Sequence, residues 1–129
     1  VDHFKQINDR YSHAIGDKVL KRIAQILRER CRNTDFVARY GGEEFLLHFP
    51  DTDHDHALAV CSELRLAIQN ADWSAIATEL GVTISFGLAE TSDDFRQTTV
   101  LNEADMCLYR AKREGRNRVC GSGGSVVDG

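Results

Sequence analysis

Two short runs, Phe36-Val37-Ala38-Arg39-Tyr40 and Phe45-Leu46-Leu47-His48-Phe49, flank the pair Gly41-Gly42. Both runs are rich in aromatic and branched residues, as strands are. Glycine tolerates the positive φ that a tight reversal needs, so the segment predicts a β-hairpin. A hairpin in mid-chain excludes an all-helical fold and a purely parallel sheet. Around it the spacing turns helical. Val19, Leu20, Ile23, Ile26 and Leu27 predict a helix over 17–31, Leu58, Val60, Cys61, Leu64 and Ile68 one over 55–70, and Leu101, Ala104, Leu108 and Ala111 one over 100–113. Val1 to Phe4 resembles a strand end entering a turn, 82–89 a strand, 117–120 a last short strand, and 72–79 a loop or irregular turn. The pattern is α+β, with an antiparallel pair at the centre of a sheet and helices covering one side.

A chain of 129 residues holds about one domain. We place that domain at 1–120 and read the Gly/Ser-rich stretch 121–129 as a flexible tail. With 28% charged and 42% hydrophobic residues the chain is globular rather than disordered. No apolar run approaches the ~20 residues that span a bilayer, and no signal peptide opens the chain. The first residue is Val, so a piece of a longer protein is expected. The net charge of −4 argues against binding nucleic-acid backbones. The basic aromatic strand of an RNA-binding sheet is lacking too. A pocket's local field can still hold a small anion. Cys31, Cys61, Cys107 and Cys120 form no C-x-x-C pair and lie in or beside apolar runs, which points to reduced, half-buried thiols. His54 and His56, in an acidic turn, are a poor metal site.

Several charged residues have two readings each. Glu43 and Glu44 are either polar residues of a plain hairpin or oxygen donors suited to Mg²⁺. The turn at Asp2-His3-Phe4-Lys5 can cradle phosphate on backbone N–H groups, with Lys5 adding charge. Asn8 is a local turn residue or a donor to a base edge. Asp17 is a helix N-cap or an acceptor for guanine N–H groups. Lys112 and Arg116 are either cations closing a helix before and after Gly115 or phosphate ligands. Arg32 and Asp35 form a surface ion pair or a site for phosphate and guanine.

In order along the chain stand Asp-His-Phe-Lys-x-Ile-Asn-Asp at 2–9, Gly-Asp-x-Val-Leu at 16–20 and Ala-Arg-Tyr-Gly-Gly-Glu-Glu-Phe at 38–45. Val-Thr-Ile-Ser-Phe-Gly at 82–87, Ala-Asp-Met-Cys-Leu-Tyr-Arg-Ala-Lys at 104–112 and Gly-Arg-Asn at 115–117 follow. Each motif alone is weak, but the ordered set strongly resembles the diguanylate cyclases, the GGDEF family, from Val1 to about Cys120. The resemblance implies a sheet of the adenylyl cyclase palm type, a ferredoxin-like arrangement. It implies condensation of two GTP into cyclic di-GMP and two pyrophosphates, across a homodimer in which each subunit holds one GTP. Glu43 and Glu44 become catalytic metal ligands for Mg²⁺ or Mn²⁺, joined by the Val1 backbone. Asn8 and Asp17 read guanine. His3, Phe4, Lys5, Gly41, Gly42, Lys112 and Arg116 complete the substrate site. Arg32 and Asp35 become an R-x-x-D site for inhibition by the product, with Arg65 a candidate second arginine. The family habit adds an N-terminal sensory domain and a cytoplasmic setting, in some members as the cytoplasmic part of a membrane-anchored protein. This domain itself is expected to touch neither membrane nor nucleic acid.

The sequence departs from the family pattern in three places. The family's first metal-binding Asp falls two residues before Asp2, outside the sequence, together with most of the first strand. Ser12 stands where Gly is usual, and Glu43 where Asp is usual. Loss of the first carboxylate weakens a metal site, so the fragment can bind nucleotide without turnover. The other reading of the chain is a degenerate module that senses GTP or cyclic di-GMP.

Overall fold

The computed structural model describes residues 1–91, 97–124 and 126–128. Its first helix, α1 (Phe4–Arg10), buries only Ile7. One buried apolar position leaves no periodicity to detect, which is why the sequence showed a turn there. α2 (His13–Arg30) starts earlier than the spacing predicted. Ser12 is its N-cap, and the Ser12 hydroxyl accepts from the Ile15 N–H at 3.2 Å. Asp17 therefore lies inside the helix, and the N-cap reading of Asp17 is corrected. α1 and α2 meet at Gly16, where an added Cβ would overlap the side chains of Asn8 and Phe4.

β1 (Phe36–Gly41) and β2 (Glu44–His48) form the expected antiparallel hairpin. Gly41 pairs with Glu44, so the reversal is made by Gly42 and Glu43, and the register shifts between Arg39 and Gly41. Gly42 takes the left-handed conformation, φ 48°, that makes this turn suit glycine. α3 (His54–Gln69) follows, with the Asp53 carboxylate accepting from the His56 N–H at 2.8 Å. The His56 ring lies 2.9 Å from the same carboxylate. The segment expected as a loop at 72–79 contains a 3-10 turn at Trp73–Ala75. Trp73 is buried, and its Nε1 donates to the Ile68 carbonyl at 2.7 Å.

β3 (Phe86–Leu88) is shorter than the predicted strand. It pairs in parallel with β4 (Arg118–Gly121). Gly87 lies so close to α4 (Gln97–Arg113) that a Cβ would run into Ala104 and Leu108 backbone. β5 (Val126–Asp128) pairs antiparallel with β4, and Val127 packs against the core. The C-terminal stretch thus contributes a strand where its composition pointed to a tail. Two valines beside an open strand edge suffice for that.

One core joins Val19, Ile23 and Leu27 of α2, Cys61, Leu64 and Ile68 of α3, and Trp73, Val82, Ile84, Phe86 and Val119. The described strands fall into two sheets, the hairpin and the β3-β4-β5 set, rather than one sheet centred on the hairpin. A cleft of about 490 Å³ opens between them, walled by β2 on one side and by residues 84–89 and α4 on the other. Val1 and Asp2 bridge its end. The Val1 nitrogen donates to the Glu43 carbonyl at 3.1 Å, and the Asp2 N–H to the Thr83 carbonyl at 3.0 Å.

Candidate nucleotide site

The hairpin turn is braced from within. Arg39 Nε donates to the Gly42 carbonyl at 2.9 Å. This bond was not anticipated, although Arg39 stands three residues before Gly42 in the sequence. Glu43 and Glu44 are half-buried. Glu44, Val1 and Lys112 line the same cleft. Glu44 and Lys112 therefore share one cleft, and Glu43 adjoins this point through its carbonyl bond to Val1. Among the described residues, the side chains of Glu43, Glu44, Lys5, Asp17, Lys112 and Arg116 enter no hydrogen bond or ion pair.

The N-terminal turn sits beside this point. His3 caps α1 in a left-handed conformation, φ 55°, and no side chain caps the first turn. Asn8 faces Gly16 of α2, and its Oδ1 is buried without a hydrogen-bond partner. Asp17, the next residue after Gly16, is exposed. Asn8 and Asp17 thus lie together at the α1–α2 junction.

Asp2 ties the N-terminal turn to the far end of the chain. Its carboxylate is 3% exposed. It accepts from Ser85 Oγ at 2.6 Å, Thr83 Oγ1 at 2.8 Å and the Asn117 N–H at 3.0 Å. Three satisfied bonds are what a buried carboxylate needs. Asn117 ends a run of positive φ angles, Gly115 at 125°, Arg116 at 64° and Asn117 at 47°. A left-handed residue other than glycine costs roughly 1–2 kcal/mol. The Gly-Arg-Asn sequence was legible as a helix stop, but nothing in it showed that two non-glycine residues would be held in this way.

The R-x-x-D pair lies elsewhere, before β1. Arg32 Nη2 donates to Asp35 Oδ1 at 2.9 Å, to Thr52 Oγ1 at 2.8 Å and to the Pro50 carbonyl at 3.0 Å. The Arg32 N–H donates to Asp35 Oδ2 at 2.8 Å. Burial works against the Asp35 charge, yet its bonds to the Arg32 side chain and backbone hold it below the usual carboxylate range. Arg65 does not join this pair. It is 1% exposed and points to Asn117, which corrects its candidacy as the second arginine.

Among the described residues the four cysteines are free thiols. Cys31 is partly buried and the other three are buried. Burial pushes the Cys61 thiol up to about 12.

Comparison with known proteins shows the family and the fold. The family description "Diguanylate cyclase, GGDEF domain" matches residues 1–118. Diguanylate cyclase DgcP of Pseudomonas aeruginosa is 43% identical over 119 residues, 92% of this chain and 18% of that protein. Diguanylate cyclase A of Treponema denticola is 39% identical over 120 residues, 92% of this chain and 32% of that protein. The chain thus spans less than a third of either relative's length. Among solved structures, the GGDEF domain of DgcB from Caulobacter crescentus in complex with c-di-GMP superposes with a TM-score of 0.86 at 34% identity, covering 93% of this chain and 72% of that one. The active GGEEF domain of a diguanylate cyclase from Vibrio cholerae gives 0.87 at 29% identity, covering 96% and 79%. The chain belongs to the GGDEF family of diguanylate cyclase domains.

Proposed function

We propose that this domain condenses two GTP into cyclic di-GMP, each 3′-hydroxyl attacking the α-phosphorus of the other nucleotide as pyrophosphate leaves. The observation that carries the reading is that Glu44 and Lys112 line one cleft, with Glu43 beside it at the Val1 contact, and that among the described residues none of the three side chains has a hydrogen-bond or ion-pair partner. Unpaired charges gathered in one place are costly to a fold and suit a ligand of mixed charge. Gly41 adds to this. It does not have a positive φ, and a Cβ there would meet nothing within 4 Å. The fold itself does not require glycine at 41, whereas close approach of a ligand to the backbone would.

Glu43 and Glu44 offer the hard oxygen donors that Mg²⁺ or Mn²⁺ prefers, so the donor set fits a divalent metal, with the Val1 backbone adjacent. When bound, the metal supplies charge neutralisation at the transferring phosphoryl group. The uncapped N–H groups after His3, at Phe4 and Lys5, hold phosphate together with Lys5, Lys112 and Arg116. The orphaned Asn8 Oδ1 and the carboxylate of Asp17 accept from the guanine edge, and Gly41 and Gly42 leave room for the nucleotide. Catalysis is then mainly positioning and charge neutralisation, as phosphoryl transfer allows.

The reaction needs two nucleotides face to face, and so a homodimer. The relatives are much longer than this chain, which accords with regulatory domains that pair the copies. A domain that consumes GTP works in the cytoplasm, and among the described residues no helix is long and apolar enough to cross a membrane. The cleft between β2 and residues 84–89 suits an extended segment leading into Val1. The family's first metal carboxylate would reach the Glu43 end from there. Arg32 and Asp35 would bind the product as an inhibitor.

Incubation of the dimerised parent protein with GTP and Mg²⁺ tests the reading. Cyclic di-GMP and pyrophosphate are expected in a 1:2 ratio. GTP binding with no product would leave a nucleotide sensor instead.

A further inference from the structure

We propose that Arg65 is a positioning residue for the phosphate end of the nucleotide site, acting through Asn117 on Arg116. The assignment rests on the nucleotide reading given above. Arg65 sits in α3, far from any residue assigned to the ligand, and is 1% exposed. A buried guanidinium is expensive unless a carboxylate pairs with it, and an apolar residue of similar size often packs more favourably. Among the described residues Arg65 forms no ion pair, and its Nε has no hydrogen-bond partner. Stability alone gives no reason for an arginine here.

The contacts of Arg65 centre on Asn117. Its Nη1 donates to Asn117 Oδ1 at 3.2 Å, with longer approaches of 3.4 Å to the Asn117 carbonyl and 3.5 Å to Gln69 Oε1. Gln69 in turn accepts from Asn117 Nδ2 at 3.1 Å. From the other side, the Asn117 N–H donates to the buried Asp2 carboxylate at 3.0 Å. A guanidinium and a carboxylate, both buried, thus grip one amino acid by its two ends. That residue and Arg116 before it are both held at positive φ, a conformation that persists only where the surroundings impose it. Asp2 adjoins His3, and Asn117 adjoins Arg116. The grip therefore fixes the spacing between the two segments that hold phosphate.

Binding measurements on this chain test the assignment. R65M removes the guanidinium and keeps the volume. Its melting temperature should be unchanged or higher. Its affinity for GTP should fall on the order of tenfold, while its affinity for guanosine, which lacks phosphates, stays the same. R65K, which retains a donor, should recover part of the loss. In an R116A background R65M should have no further effect, because the two act in series. Equal losses for GTP and guanosine, or additive losses with R116A, would overturn the positioning role while leaving the nucleotide reading intact. If the unaltered chain binds GTP no better than guanosine, the nucleotide reading fails and this assignment goes with it. Should R65M not fold, N117A removes the Oδ1 acceptor instead. An unchanged GTP-to-guanosine affinity ratio in N117A then overturns the proposal.

Discussion

The turn that enters β1 and the turn that leaves it lie about 20 Å apart on one strand, and they treat charge in opposite ways. At the entrance, Arg32 is fastened by Asp35, Thr52 and the Pro50 carbonyl. At the exit, Glu43 and Glu44 are chain neighbours and, among the described residues, form no ion pair. The first turn is a finished structure without a ligand, and anything that binds Arg32 must share it with those acceptors. The second is electrostatically incomplete and tolerable because water reaches it. A charge held by its neighbours serves the fold first, and a charge left open is available for chemistry.

The sharpest way to break that contrast is Glu43→Gln in the dimerised parent protein. Turnover of GTP should fall on the order of 1000-fold, as for loss of a group stabilising transition-state charge. The melting temperature should hold or rise. A clear drop in melting temperature would show that the carboxylate belongs to the fold after all.

Arg32→Ala probes the other turn. The cyclic di-GMP concentration that halves activity should rise at least about tenfold, the loss expected of a charge-assisted contact, with initial turnover nearly intact. Equal inhibition of both proteins would remove the regulatory reading of the pair.

The two glycines separate fold from function within a single turn. Gly42→Ala, at φ 48°, should destabilise by about 1 kcal/mol in thermal or urea unfolding. Gly41→Ala should cost much less stability, yet weaken GTP binding measured by calorimetry. If the two lose stability equally, Gly41 is a structural residue.

Acid should erase the entrance turn's advantage. Asp35 titrates below its ordinary 3.8 in the folded chain. A lowered carboxylate contributes stability above its unfolded pKa, and that contribution is lost as pH falls through the folded value. Melting temperatures of the unaltered chain and Arg32→Ala should therefore differ at pH 6, begin to approach one another as pH falls past the ordinary 3.8, and converge only below the lowered Asp35 value. The smallest effect belongs to Ser12→Gly. Relief of φ 151° and loss of the bond to Ile15 nearly cancel, leaving a change of a few tenths of a kcal/mol.

Long periodic elements were legible in the sequence and short ones were not. α2, α3 and α4 each turn a stripe of apolar residues inward, and that stripe is visible as spacing. The hairpin was legible because Gly42 answers a backbone demand. α1 escaped because only Ile7 is buried. β5 escaped because a strand of three residues owes its existence to the edge of β4. The same division runs through the site. Glu43, Glu44, Lys5 and Lys112 were proposed from motifs, whose order along the chain carries the signal. Asp2, Arg65 and Asn117 meet across sequence separations of 115 and 52 residues, and no local pattern encodes that meeting.

The uneven burial of the cysteines has a practical use. Cys61, Cys107 and Cys120 are 3%, 8% and 0% exposed, and Cys61 holds its proton up to about pH 12. Cys31 is only partly buried and adjoins Arg32. Burial and Asp35 raise the Cys31 thiol as well, so a maleimide dye will favour Cys31, beside the R-x-x-D turn, by its access to solvent rather than by its acidity. If the proposed product site is right, the dye's fluorescence would change on addition of cyclic di-GMP, and transfer between two such dyes would report the approach of a second copy.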